Sequence, residues 1–166
     1  MVEECIPAAV NRRTCWILRG LPGVGKTAVA RQLFRMLNPV TYVSLDEIRD
    51  NKGYVNDWEK IKENMEADVE LMKYEFNHAL EAGDHIILDN THSRIWEYEW
   101  AEILAKEHDY MVLVIEVQAP LLDCWRRTTH AIPWNKFMEM YDRWELPRAK
   151  DFRKLMGTIA GVIKGK

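Results

Sequence analysis

Residues 20–27 read Gly20-Leu21-Pro22-Gly23-Val24-Gly25-Lys26-Thr27, which is the pattern G-x-x-x-x-G-K-T. An apolar run at residues 14–19 precedes this stretch and predicts a buried strand, and residues 28–37 follow it with apolar side chains at helical spacing. Glycines let successive backbone N–H groups turn inward around a phosphate chain, at the positive end of the following helix. The order strand, loop, helix therefore predicts that this segment, here called the phosphate loop, binds a nucleoside triphosphate.

Two side chains of the phosphate loop supply its chemistry. Lys26 places a positive charge at the β- and γ-phosphates, and the hydroxyl group of Thr27 is suited to bind Mg²⁺. The predicted nucleotide-binding set is the loop with the residue that follows it: Gly20, Leu21, Pro22, Gly23, Val24, Gly25, Lys26, Thr27 and Ala28. The cofactors implied are ATP, or another nucleoside triphosphate, and Mg²⁺. The alternative is a glycine turn that only connects a core strand to a helix.

The length and charge of the chain restrict its class. With 166 residues, 48% of them hydrophobic and 30% charged, residues 1–166 are expected to form a single domain with one core. A net charge of −3 argues against tight, non-specific binding of nucleic acid. It is compatible with an enzyme that touches a few phosphates near the end of a nucleic-acid chain.

The cysteines and the apolar runs indicate the compartment. Three cysteines, an odd number without metal-ligand spacing, favour buried free thiols in a reducing environment. No run approaches the roughly 18 apolar residues of a membrane span, and residues 1–11 lack the features of a signal peptide. We therefore expect a cytoplasmic protein without a membrane partner.

Four short apolar runs rich in β-branched residues predict the strands of a parallel sheet, at residues 16–18, 40–45, 85–88 and 111–117. Helical patterns are predicted at residues 57–82, 95–106, 121–128 and 135–145, with a C-terminal helix at about 148–163. The fold class is therefore α/β, a parallel sheet of four or five strands flanked by helices. In such folds ligands gather at the carboxyl ends of the strands, so the residues that close each strand form the candidate site.

Asp46 and Arg49 follow the second predicted strand, at the edge of the sheet where the phosphate loop is expected. A carboxylate there can accept the proton of an attacking hydroxyl group, and an arginine one helical turn further on can bind an anionic substrate. The alternative is that Asp46 caps a short helix and that Arg49 pairs with Glu47 or Asp50 on the surface of that helix.

Asp89, Asn90 and Thr91 follow the third predicted strand directly. An acidic residue that closes an apolar strand beside a phosphate loop predicts a ligand of the Mg²⁺ that bridges the β- and γ-phosphates. Thr27 and Asp89 are thus the predicted metal ligands, while Asn90 and Thr91 join the substrate-binding set with Asp46 and Arg49. The alternative is that Asp89 or Asn90 caps the next helix. His92 is assigned no catalytic role, because a lone histidine at a strand end is usually structural.

Arg126 and Arg127 precede a segment interrupted by proline, and they predict a mobile helical lid at about residues 126–146. Arginines that close over a nucleotide neutralise charge on the transferring phosphoryl group, and closure excludes water that would hydrolyse ATP. Both arginines are therefore assigned to nucleotide binding and, with Lys26 and Asp46, to catalysis. The alternative is a solvated helix end, at which arginine favours the C-terminal dipole.

These motifs, in this order, resemble the kinase module of polynucleotide 5′-hydroxyl kinases and related ATP-binding domains of the P-loop NTPase class. The matching stretches are residues 20–27, 45–49, 86–91 and 126–133, within a resemblance that spans about residues 14–145. The resemblance implies that Asp46 is the general base toward a 5′-hydroxyl group and that Arg49 contacts the neighbouring phosphate of the acceptor. It implies that Arg127 or Arg126 binds the β- and γ-phosphates. Phage-type enzymes carry a further lid arginine, where this chain has Thr128, Thr129 and His130.

Three functions are compatible with these motifs. The favoured one is ATP-dependent transfer of the γ-phosphoryl group to the 5′-hydroxyl end of DNA or RNA. A second keeps the kinase chemistry but uses a nucleoside, a small metabolite or a tRNA-linked hydroxyl group as acceptor. A third is an ATPase or nucleotide switch that transfers nothing, which Asp46 disfavours because a switch needs no base for a hydroxyl group.

Overall fold

The computed structural model describes residues 11–146 and the backbone of residues 158–164. Its strands are β1 (Thr14–Arg19), β2 (Val40–Val43), β3 (His85–Asp89), β4 (Met111–Gln118) and β5 (Thr158–Lys164). The helices in this part of the chain are α1 (Lys26–Met36), α2 (Leu45–Asn51), α3 (Trp58–Ala82), α4 (Trp96–Glu107), α5 (Leu121–Arg127) and α6 (Trp134–Asp142). At least one helix separates each strand from the next, which confirms the α/β prediction.

β1 occupies the centre of a fully parallel sheet with the strand order β2-β3-β1-β4-β5. All of its residues are buried, because helices cover both faces of the sheet. Leu18 lies opposite Asp89 of β3, and Arg19 lies opposite Glu116 of β4. The phosphate loop therefore leaves β1 between the carboxyl ends of β3 and β4, at the edge of the sheet where ligands gather in such folds.

The sheet divides the core into two layers, and alternate residues of β1 face opposite layers. Cys15 and Ile17 pack with α3 and α4, while Trp16 and Leu18 pack with α1, α5 and α6. Cys15 and Cys124 are buried free thiols, as predicted. This arrangement holds β1, and the loop that continues it, between two packed layers.

α3 is the longest helix and begins one residue after its predicted start. Asp57 is its N-cap, and the side chain of Asp57 accepts a hydrogen bond from the N–H of Lys60. Gly83 ends the helix with a φ of 78°, a left-handed conformation that glycine adopts without strain. Neither α3 nor any other helix of the described residues is both long and apolar enough to cross a membrane.

The C-terminal helix predicted at residues 148–163 is wrong over residues 158–163, which form most of β5. β5 pairs in parallel with β4 along its whole length, so the sheet has five strands. The run Thr-Ile-Ala-Gly-Val-Ile is rich in β-branched residues and contains a glycine that is unfavourable in a helix. Periodicity alone cannot distinguish a short buried strand from a helix in such a run. Residues 148–157 of that prediction lie outside the described residues.

Candidate active site

The phosphate loop packs so closely against α5 and β4 that two of its glycines leave no room for a side chain. A Cβ atom at Gly23, where φ is 76°, would overlap the carbonyl oxygen of Cys124. A Cβ atom at Gly20 would lie 2.8 Å from the carbonyl oxygen of Val117. α1 has Gly25 as its N-cap, without a side-chain cap hydrogen bond. The first N–H groups of α1 therefore remain available to an anion held in the loop.

Substitution of Gly23 by alanine is expected to lower the free energy of unfolding by about 2–4 kcal/mol, because a positive φ is combined with overlap of the α5 backbone. It should also weaken nucleotide binding by about tenfold or more, since the N–H groups would no longer converge on one phosphate. Denaturant unfolding and titration with a fluorescent ATP analogue measure the two effects.

Gly53→Ala is the matched control for this substitution. Gly53 has nearly the same φ, 78°, but a Cβ atom there would meet no atom within 4 Å. The control isolates the backbone cost of about 1–2 kcal/mol and should leave nucleotide binding unchanged. If Gly23→Ala loses no more stability than Gly53→Ala, the contact between the loop and α5 does not require glycine.

Lys26 folds back onto the loop that precedes it. Its Nζ donates hydrogen bonds to the carbonyl oxygens of Gly20 at 2.7 Å and Leu21 at 3.2 Å. Burial lowers the pKa of this amine, while the negative charges of Asp89 and Asp46 act in the opposite direction. The ammonium group thus lies against the phosphate loop, and phosphate oxygens are stronger acceptors than the carbonyl groups it now contacts.

Asp89 closes β3 beside the phosphate loop and is buried. Its Oδ2 accepts a hydrogen bond of 2.8 Å from the hydroxyl group of Tyr42. Burial raises the pKa of this carboxyl group, and the positive charge of Lys26 partly offsets the increase. Just beyond, the carbonyl oxygen of Thr91 accepts a hydrogen bond of 3.0 Å from the N–H of Gly20, so the end of β3 also holds the loop.

The oxygen donors around the loop suit a magnesium ion carried by a nucleotide. In the described residues, no cluster of three or more His, Cys, Asp or Glu side chains is placed to hold a metal ion by itself. Mg²⁺ in nucleotide sites keeps several waters and takes only about one or two protein oxygens in addition to the phosphates. Thr27, exposed in the first turn of α1, and Asp89 fit this smaller requirement.

Asp46 lies in the first turn of α2 with its side chain 57% exposed. Ser44 is the N-cap of α2, and its hydroxyl oxygen accepts a hydrogen bond of 3.2 Å from the N–H of Asp46. The alternative in which Asp46 caps this helix is therefore wrong. Its carboxylate instead faces a histidine and an arginine: Oδ2 lies 3.4 Å from Nε2 of His130, and Oδ1 lies 3.9 Å from Nη1 of Arg49.

Arg49 is buried between α2 and α3 instead of lying in solvent on α2. Its Nε donates a hydrogen bond of 3.3 Å to Oδ2 of Asp68. The alternative pairing with Glu47 or Asp50 is wrong, because the guanidinium group contacts Asp68 and, at a longer distance, Asp46. Asp68 was not among the residues predicted for the site, although an acidic residue within the apolar stripe of α3 is a signal for such a role.

Asn90 and His92 connect the end of β1 to the start of α2 by hydrogen bonds. Nδ1 of His92 lies 2.8 Å from the carbonyl oxygen of Leu18, and Nε2 lies 3.4 Å from Nδ2 of Asn90. Oδ1 of Asn90 accepts a hydrogen bond of 3.0 Å from the N–H of Leu45. Burial lowers the pKa of His92 to about 3, so the ring is neutral and carries its proton on Nδ1, which faces a carbonyl group. Asn90 thereby fixes the helix of Asp46 relative to the phosphate loop.

Arg126 and Arg127 are the last two residues of α5, the helix that touches the phosphate loop at Gly23. Both side chains are exposed, and Nη2 of Arg127 lies 3.9 Å from Oδ2 of Asp123. The arginines thus lie at the rim of the loop, and their contact with a nucleotide stays a prediction.

Residues 128–133 cross from α5 toward the side of the site that carries Asp46. The N–H of Ala131 donates a hydrogen bond of 3.2 Å to Oδ1 of Asn56, and His130 contacts Asp46. The first part of the predicted lid therefore bridges the phosphate loop and the candidate base. His130, for which no role was predicted, is the residue of this segment that contacts Asp46.

Arg19, the last residue of β1, fastens the other end of the predicted lid. It is buried and pairs with Glu116 at 3.2 Å. Its Nη2 donates a hydrogen bond of 2.8 Å to the carbonyl oxygen of Glu145, and its guanidinium carbon lies 4.5 Å from the ring centroid of Trp144. The segment after α6 is thus held against the strand that leads into the phosphate loop.

Residues 15–130 match a family model, AAA_33, whose description is "AAA domain". Among solved structures, a putative kinase from Chloroflexus aurantiacus is 15% identical with a TM-score of 0.65, and the match covers 92% of this chain and 86% of that chain. Kti12 of Chaetomium thermophilum, in complex with ADP-AlF3, is 16% identical with a TM-score of 0.62, over 89% of this chain and 88% of that chain.

A chain of the Pnkp1/Rnl/Hen1 RNA repair complex is 16% identical with a TM-score of 0.64, over 88% of this chain and 47% of that chain. This chain spans about half the length of several solved chains that it matches, between 42% and 51%. At these identities the likenesses show the fold alone.

Proposed function

We propose that this chain transfers the γ-phosphoryl group of ATP to the 5′-hydroxyl end of DNA or RNA. The chain belongs to the AAA_33 family of AAA domains and has a P-loop kinase-like fold. The observation that carries the proposal is the place of Asp46, an exposed carboxylate in the first turn of a helix whose Leu45 N–H is hydrogen-bonded to Asn90 at the end of β3, beside the phosphate loop. A carboxylate in that place can serve as a base for an attacking hydroxyl group.

In the proposed reaction, the hydroxyl oxygen of the acceptor attacks the γ-phosphorus in line with the bridging oxygen that leaves on ADP. Asp46 accepts the hydroxyl proton as the new oxygen–phosphorus bond forms. The N–H groups of the phosphate loop and the ammonium group of Lys26 hold the β- and γ-phosphates and stabilise the charge that develops on them. Mg²⁺, held with the nucleotide by Thr27 and Asp89, would supply further neutralisation of that charge.

Arg49 is the group on the acceptor side that suits a nucleic-acid end. Its Nη1 faces Asp46 at 3.9 Å, so an anion beside the reacting hydroxyl group can meet the arginine while the hydroxyl group meets the carboxylate. A 5′-hydroxyl group flanked by the first phosphate of a strand has this chemistry. The likeness to a chain of an RNA repair complex supports the same class of acceptor.

A nucleoside, a small metabolite or a tRNA-linked hydroxyl group is the second class of acceptor. The net charge of −3 favours it, because long phosphate backbones gain affinity from clustered lysine and arginine. This alternative shares every step above except the contact between Arg49 and a flanking phosphate.

Incubation with γ-labelled ATP, Mg²⁺ and a panel of 5′-hydroxyl DNA, 5′-hydroxyl RNA, nucleosides and sugars tests the proposal. We expect the label at the 5′ end of the oligonucleotides. The matched control is the same oligonucleotide with a 5′-phosphate, which lacks the accepting hydroxyl group. Label confined to nucleosides or sugars would select the second class, and ATP hydrolysis that no acceptor stimulates would overturn the kinase assignment.

A further inference from the structure

Asp68 is a fully buried carboxylate in the middle of α3. Three donors from the α2 region surround it. Its Oδ1 accepts hydrogen bonds from the hydroxyl group of Tyr54 at 2.5 Å and from Nζ of Lys52 at 2.8 Å. Its Oδ2 accepts one from Nε of Arg49 at 3.3 Å. One buried side chain thus gathers the donors of α2 and of the segment that follows it.

Asp68 is charged in spite of its burial. Burial alone would raise the pKa of this carboxyl group, but the hydrogen bonds from Lys52, Tyr54 and Arg49 outweigh burial and hold the pKa below its ordinary range. A buried charge with every partner in place is tolerated, whereas removal of the carboxylate would leave Arg49 buried without a counter-charge at its Nε edge. The contact between Asp68 and Arg49 therefore holds both side chains in place.

The orientation of Arg49 follows from this contact. Its Nε edge faces Asp68, and its Nη2 lies 3.2 Å from Sδ of Met65. Only Nη1 is directed toward Asp46, at 3.9 Å. The guanidinium group therefore lies between two carboxylates, one buried behind it and one exposed at the site, and it presents a single nitrogen to a ligand that meets Asp46.

We propose that Asp68 is a positioning residue that sets the orientation of Arg49 for acceptor binding. The inference rests on the proposed function, because it assigns Arg49 to the acceptor. Asp68 acts through Arg49, which its Oδ2 contacts, while Lys52 and Tyr54 donate hydrogen bonds to its other oxygen.

A double-mutant cycle with Asp68→Asn and Arg49→Ala tests this inference. Asp68→Asn should raise the KM for a 5′-hydroxyl oligonucleotide by about tenfold, the loss expected for one hydrogen bond to a charged group, with nucleotide affinity unchanged. In the Arg49→Ala background, Asp68→Asn should cause no further change in that KM, because the residue it positions is gone. Independent, multiplicative effects of the two substitutions would overturn the inference.

Two control variants separate positioning from stability. Tyr54→Phe removes a hydrogen bond to Oδ1 of Asp68 but leaves Oδ2 and its contact with Arg49, so it should lower the melting temperature without changing the KM for the acceptor. Glu70→Gln alters an exposed acid on the same helix and should change neither quantity. An equal rise in KM for Tyr54→Phe and Asp68→Asn would mean that Asp68 contributes only to stability.

A measurement that needs neither activity nor a variant tests the contact itself. By NMR, the Nε–H of Arg49 in the unmodified protein should exchange with water about tenfold or more slowly than that of Arg35, which is exposed on α1. Equal exchange rates would overturn the inference even if the kinase assignment holds. If no acceptor in the panel is phosphorylated while the Arg49 proton is protected, the proposed function fails and the contact between Asp68 and Arg49 stands.

Discussion

Asp46→Asn is expected to slow phosphoryl transfer by about 10²–10⁴-fold, the range for loss of a positioned general base. Asparagine keeps the shape of the side chain and can still contact Arg49 and His130, but it cannot accept the proton of the hydroxyl group. Nucleotide affinity should stay the same or increase, because a negative charge that acts on Lys26 is removed from the neighbourhood of the phosphates. Single-turnover transfer and nucleotide titration measure the two quantities separately.

The matched control for this substitution is Asp50→Asn. Asp50 is an exposed acid on the same helix, one turn after Asp46, and the proposed mechanism gives it no role. Its replacement should leave both transfer and nucleotide binding unchanged. If Asp46→Asn instead weakens nucleotide binding as much as it slows transfer, Asp46 belongs to the nucleotide site and the assignment as base is lost.

The strands could be predicted from sequence wherever burial on both faces produces a continuous apolar run. The predicted bounds of β3 and β4 differ from the observed ones by only one residue at the end of each strand. The agreement is close because Ile, Leu and Val fill both strands almost without interruption. β5 could not be predicted, because its run also fits a helix by spacing and only its pairing with β4 decides between the two. Local pattern thus predicted the first four strands, whereas β5 depended on pairing with a distant partner.

The candidate site likewise contains residues that could be predicted from the sequence and residues that could not. The phosphate loop and Asp46 could be placed because each lies just after the carboxyl end of a strand, and the ends of parallel strands meet at one edge of the sheet. The pairing of Arg49 with Asp68 could not be predicted, because it depends on how α2 packs against α3. Sequence spacing instead favoured Glu47 and Asp50, which are nearer to Arg49 in the chain. The same holds for the contact of His130 with Asp46, which joins segments far apart in the chain.

Lys26→Met is expected to slow phosphoryl transfer by about 10²–10³-fold and to weaken nucleotide binding by about tenfold, because it removes the positive charge that holds the β- and γ-phosphates and keeps most of the length of the side chain. A second effect adds to the first. The positive charge of Lys26 partly offsets the burial that raises the pKa of Asp89, so its removal should raise that pKa further and weaken Asp89 as a ligand for a cation. Single-turnover transfer and nucleotide titration again measure the losses.

The effect on Asp89 has its own signature in stability. A carboxyl group whose pKa in the folded state is raised above its ordinary value of 3.8 destabilises the fold once it is charged, so stability is regained as the pH falls through the raised pKa. Unfolding free energy should therefore increase more on acidification for Lys26→Met than for the wild-type protein.

Arg35→Met, on the exposed side of the same helix, is the control and should change neither transfer nor this pH dependence. If Lys26→Met transfers phosphate at the wild-type rate, the loop does not hold the reacting nucleotide through this lysine, and the proposed mechanism is wrong.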